Sequence, residues 1–109
     1  MWKPWTQAEV EQLVADESIQ LKESERQTLL DFRQLAAQVA WKRGAGFGQD
    51  ELDHDSIWIL ARSEREILFF DSVEEEFGVG RLTEDRQLTD YGTYGEKLAW
   101  ALRHFPSTD

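Results

Sequence analysis

Ser56-Ile57-Trp58-Ile59-Leu60-Ala61-Arg62, followed after Ser63-Glu64-Arg65 by Glu66-Ile67-Leu68-Phe69-Phe70-Asp71, is the stretch on which the fold turns. Both runs are short, rich in β-branched and aromatic residues, and bounded by polar residues. That pattern predicts two strands of a hairpin. Alternation places Ile57, Ile59 and Ala61 on one face and Trp58 and Leu60 on the other. Ile67 and Phe69 oppose Leu68 and Phe70 in the same way. A sheet with two apolar faces must be covered on both, or must leave one for a partner.

Outward from this hairpin, residues 77–82 and 86–91 flank the polar Thr83-Glu84-Asp85 and predict a second, more exposed hairpin. Upstream the period changes to that of helices. Thr6-Gln7-Ala8-Glu9 has the spacing of a capping box, with Trp5 and Val10 placed to form a hydrophobic staple. Val10, Leu13 and Val14 continue a short helix that ends near Asp16–Ser18. Ser24-Glu25-Arg26-Gln27 predicts the start of a second, longer helix through Leu29, Phe32, Leu35, Ala36, Val39 and Ala40. Lys42 and Arg43 fall in its last turn and Gly44 is its cap. Gly44-Ala45-Gly46-Phe47-Gly48 looks like part of a dinucleotide-binding loop. It follows a helix instead of opening one, so it lacks the phosphate-cradling geometry and reads as a hinge. Downstream, Thr93-Tyr94-Gly95-Glu96 is a third capping box, ahead of Leu98, Ala101, Leu102 and Phe105 at helical spacing, with Pro106 as the stop. The order α-α-β-β-β-β-α predicts a single α+β domain over residues 1–109. It has two N-terminal helices, an antiparallel sheet of about four strands in two hairpins, and a C-terminal helix packed on the sheet.

Composition narrows the function classes. With 40% apolar and 31% charged residues in 109, the chain is expected to fold around one modest core. It has no cysteine, so neither a disulfide nor a thiolate-bound metal is available. The apolar runs are too short to span a bilayer, and the first residues lack the apolar stretch of a secretion signal. A cytoplasmic domain is the expectation. Formal net charge is −10, and the excess is uneven: 13 of the 22 acidic side chains fall within residues 50–90, facing four arginines. Such a surface repels phosphate, which argues against nucleic acid and anionic membrane as partners. It attracts a basic protein, and fields of this kind speed encounter more than they tighten the complex.

Three groups of residues are candidates for chemistry. In Asp50-Glu51-Leu52-Asp53-His54-Asp55 the close carboxylates suit a hard cation, but the spacing and the missing glycine do not fit a calcium loop. A second histidine at zinc-ligand spacing is also lacking. A solvated acidic loop is the plainer reading, and no cofactor is expected. Asp71 and Glu74-Glu75-Glu76 form an acidic ridge between the hairpins. Glu75 is the member whose alternation points it towards the apolar side, where paired carboxylates can act as acid and base. No cysteine nucleophile or serine elbow accompanies them, and His104 sits where a helix end favours a cation. The chain therefore reads as a binding protein and not as an enzyme. Trp58 and Trp100 read as core or near-core, whereas Trp41 lies off the apolar stripe of its helix and can anchor a partner.

Trp58-Ile59-Leu60-Ala61-Arg62, Leu68-Phe69-Phe70-Asp71-Ser72-Val73-Glu74-Glu75-Glu76-Phe77, Tyr91-Gly92 and Glu96-Lys97-Leu98-Ala99-Trp100-Ala101-Leu102 together resemble small bacterial proteins with a hydrophobic hairpin, an acidic Asp-x-Val-Glu-Glu-x-Phe stretch and a C-terminal helix. Those proteins look similar to immunity proteins that neutralise a toxin. The resemblance covers residues 57–103, and a third consecutive glutamate stands where that pattern has a small residue. It implies a toxin as partner and no catalytic residue, and the acidic surplus adds that this partner is basic, such as a nuclease. The partner-binding set is then Asp53, Asp55, Asp71, Glu74, Glu75 and Glu76, with Trp41 as anchor. Two alternatives remain: a homo-oligomer (most simply a homodimer) that buries the second sheet face against itself, and a metal-dependent enzyme.

Overall fold

The computed structural model describes residues 5–39, 42–43, 57–64, 66–72, 74–82 and 87–106. Two helices, α1 (Gln7–Ser18) and α2 (Glu23–Phe32), precede six strands: β1 (Arg33–Val39), β2 (Lys42–Arg43), β3 (Ile57–Arg62), β4 (Ile67–Asp71), β5 (Glu76–Leu82) and β6 (Gln87–Thr93). A short helix α3 (Leu98–Leu102) follows. The architecture is α+β, and β1, β3, β4, β5 and β6 form an antiparallel sheet in that order, with the two-residue β2 parallel to β6 at the far edge. Five antiparallel strands thus replace the expected four. Both predicted hairpins are present, and the acidic segment between them closes a third, so β3 to β6 run as one meander. Among the described residues no helix is long and apolar enough to cross a membrane.

The fifth strand comes from the tail of the expected second helix. That helix ends at Phe32, and the chain continues as β1. The apolar residues Leu35, Ala36 and Val39 fit a helical period, but Leu35, Ala37 and Val39 fit a strand equally well, and tertiary partners decide. Between Arg33, opposite Ala61, and Ala37, opposite Ile59, the ladder slips by a bulge. Helix α1 supplies what the ladder omits there. Gln7 Nε2 donates to the Ala36 carbonyl at 2.8 Å, and the Ala36 N–H donates to Glu11 Oε2 at 2.6 Å. Glu11 also pairs with Arg33, whose guanidinium reaches the Leu60 carbonyl at 3.2 Å. Side chains one helical turn apart therefore clamp α1 onto the edge strand.

Strand order and connection length together require a curled sheet. β1 and β2 lie at opposite ends of the order, yet Val39 and Lys42 are three residues apart. Three Cα steps reach about 11 Å at most, whereas five strand spacings of a flat sheet measure about 24 Å. The edges must therefore approach each other. The strand directions agree: β2 runs parallel to β6 and hence in the same sense as β1, so both edges are held by one stretch of chain.

The curl explains how both apolar faces are buried. Trp58, Leu60, Leu68, Phe70, Phe77 and Val79 share one cluster with helix residues Val10, Val14, Leu29, Leu98, Ala101 and Leu102. Ile57, Ile59, Ile67 and Phe69 form a second cluster without a helix residue. Ala61 belongs to the helix-covered side and not with Ile57 and Ile59, because a register shift between Ile59 and Ala61 turns it over. On the inner side, Phe69 lies across Gly78, its cross-strand partner. A Cβ on Gly78 would stand 2.5 Å from the Phe69 ring and 2.6 Å from the Gly92 carbonyl oxygen.

The helix ends show which local signals survive. Thr6 caps α1 as expected: Glu9 N–H donates to its Oγ1 at 3.2 Å, and Thr6 N–H donates to Glu9 Oε1 at 2.9 Å. In α2 the Glu25 carboxylate accepts from Lys22 N–H at 2.9 Å, so the cap is Lys22 and not Ser24. The third capping box does not form. Thr93 is the last residue of β6, opposite Gly78, and Glu17 of α1 accepts the Leu98 N–H at 3.1 Å instead. Leu98, Ala101, Leu102 and Phe105 are buried as their spacing requires, whereas Trp100 is 43% exposed, which corrects its expected core position.

Candidate functional site

A cavity of about 290 Å³ opens where α1, the β4–β5 turn and the segment before α3 meet. Its floor is aromatic. Trp5 meets Phe70 edge-on at 4.9 Å between ring centroids, and Phe70 lies 5.1 Å from Phe77. Leu13 adds an aliphatic wall, and Glu17, Glu75, Glu96 and Lys97 supply its charged groups. Each wall is fixed by the fold. Phe70 and Phe77 are cross-strand partners, and Trp5 stands just ahead of the Thr6 cap. The Phe77 N–H donates to the Gly95 carbonyl and the Tyr94 N–H to the Phe77 carbonyl, both at 2.8 Å. Those two bonds hold the chain that carries Glu96 and Lys97 against β5.

Charge in the cavity is unbalanced. Three carboxylates face one ammonium, and among the described residues neither Glu75 nor Glu96 forms an ion pair. One oxygen of Glu17 is engaged by Leu98 N–H. Glu75 is exposed and holds φ at 56°, a left-handed conformation that a side chain rarely adopts. It stands in the turn beside the Phe70–Phe77 pair, so its expected approach to the apolar side is met by a turn and not by a strand.

The other expected site residues divide. Asp71 and Glu76 are cross-strand partners, one step beyond Phe70 and Phe77 and therefore on the opposite face of the ladder. Asp71 Oδ1 accepts the Glu74 N–H at 3.3 Å, and Glu74 is exposed. With Glu75, these three carboxylates occupy one hairpin end. Glu64 and Glu66 lie beyond the other end of β4, so the described acids of residues 50–90 do not form one continuous patch. Asp53, Asp55 and Trp41 lie outside the described residues, as does the whole cluster at residues 50–55. Among the described residues, no group of three histidine, aspartate or glutamate side chains is placed to hold a metal ion. His104 stacks on Tyr94 with ring centroids 4.1 Å apart.

Trp5, Glu17, Glu96 and Lys97 were not legible as site residues. Glu17 and Glu75 are brought together only by the packing of α1 on the meander, and no local spacing links them. Comparison with protein-family models, curated proteins and solved structures finds no match to this chain.

Proposed function

We propose that the chain is a small acidic protein-binding domain, of the immunity type, that works in the cytoplasm by covering a basic surface of a toxin or nuclease. The observation that carries this reading is the gathering of Asp71 and Glu74–Glu76 at one hairpin end, where Glu75 joins Glu17 and Glu96 around a cavity with an aromatic floor. Carboxylates at an exposed hairpin end steer a cationic partner during encounter, and aromatic surface beside them slows its departure. A homo-oligomer has less support. Ile57, Ile59, Ile67 and Phe69 are at most 3% exposed within one chain, so the second sheet face is already satisfied.

Co-expression with the product of the adjacent open reading frame tests the proposal. The wild-type chain is expected to relieve that product's toxicity and to associate with it at a rate that falls steeply with salt. The triple variant Asp71→Asn, Glu74→Gln, Glu76→Gln is expected to associate at least tenfold more slowly at low salt. Relief and association rates unchanged by that variant would overturn the reading.

A further inference from the structure

The cavity has a composition that selects its occupant. Half-buried Trp5 and Leu13 give it apolar walls above the fully buried Phe70 and Phe77, while Glu17, Glu75 and Glu96 carry two more charges than Lys97 offsets. An apolar group gains nothing from the carboxylates, and a free anion is repelled by them. A compact hydrated cation gains little from the rings. A planar guanidinium on an aliphatic stem uses every wall: the stem against Leu13, the plane against Trp5, and the donors on carboxylate oxygens. At about 290 Å³ the cavity lies at the small end of ligand sites, which matches one side chain and not a cofactor.

We propose that this cavity is the receptor for a single arginine side chain of the protein partner. The proposal rests on the docking role given above and names the group that is read there. Glu75 and Glu96 hold the guanidinium, the half-buried Trp5 stacks on it from its seat on the Phe70 ring, and Glu17, fixed by the Leu98 N–H, closes the far side. Lys97 is a resident competitor for the same carboxylates. The acidic turn outside the cavity attracts the partner, and the cavity registers it.

The test uses the intact chain and Nα-acetyl-arginine N-methylamide as probe, with the citrulline analogue as a neutral control of the same shape. Backbone amide resonances of Glu75, Glu96 and Leu98 report binding. The arginine probe is expected to shift them saturably, and the citrulline probe to bind at least tenfold more weakly. Glu75→Gln with Glu96→Gln, both at exposed positions, should weaken the arginine probe about fivefold to tenfold, and Lys97→Ala should strengthen it about twofold to fivefold. Equal response to both probes, shifts outside the cavity, or indifference to the charge variants would overturn the proposal. The two readings fail separately. An unresponsive cavity, with association still lost on changing Asp71, Glu74 and Glu76, removes the arginine receptor and leaves the docking role. A responsive cavity with association indifferent to those three residues does the reverse.

Discussion

On the side of Trp58, Leu68, Phe70 and Phe77 the sheet is covered by three helices, whereas Ile57, Ile59, Ile67 and Phe69 form a buried cluster on the inner side of the curl that no helix residue joins. Both surfaces are buried, but the means differ and so do the consequences. The curl brings the two sheet edges together through the short Val39–Lys42 connection, and on its inner side Phe69 packs over Gly78 with no room for a Cβ there. Helices laid on a sheet meet it as separate pieces with ends and connecting segments. Gaps open where those pieces join, and the aromatic cavity is one of them. The cavity lies on the helix-covered side because that side has a rim.

Neighbouring phenylalanines give the sharpest way to break this comparison. Phe69→Ala and Phe70→Ala should each cost about 3–5 kcal/mol, read by urea unfolding, since both rings are fully buried. Only Phe70→Ala should also abolish the arginine response in conditions where both variants remain folded. Equal loss of binding in both would mean that the two sides are not independent. Gly78→Ala comes next, at about 1–3 kcal/mol. The Gly92 carbonyl is backbone and cannot swing away, so adding Phe69→Leu should recover only part of the loss. Full recovery would show that the ring alone sets the limit.

A smaller effect is expected at the helix–strand clamp. Glu11→Ala removes the ion pair with Arg33 and the acceptor for the Ala36 N–H, and should cost about 1–2 kcal/mol. Its mark should be faster hydrogen exchange at Ala36, with the β4–β5 ladder unaffected. Smallest, and opposite in sign, is Glu75→Gly. Relief of a left-handed conformation should stabilise the fold by up to about 1 kcal/mol while weakening the arginine probe. A glycine variant that is less stable would show that the Glu75 side chain contributes to the fold itself.

Legibility followed the range of the interaction. The Thr6–Glu9 box, both predicted hairpins and the buried stripe of α3 were readable because each depends on residues a few positions apart. The end of α2 was not, since Leu35–Val39 satisfies two periods and the deciding partners, Gln7, Glu11 and β3, are distant. The capping box at Thr93 failed for a related reason: Thr93 pairs with Gly78 as the end of β6, five residues ahead of the first residue of α3. Of the site, the acidic turn was legible as a run of like charges, and its aromatic floor was not.

By itself the sequence determined an α+β chain with strongly apolar strands, a net charge of −10 and a concentration of carboxylates between two hairpins. Tertiary structure alone decided that the sheet curls, that Ala61 turns to the helices, and that Glu17, Glu75 and Glu96 share one cavity. The physical reason is that pattern and charge are properties of neighbouring residues. Closure and convergence depend on which distant backbone groups find hydrogen-bond partners once the chain is compact.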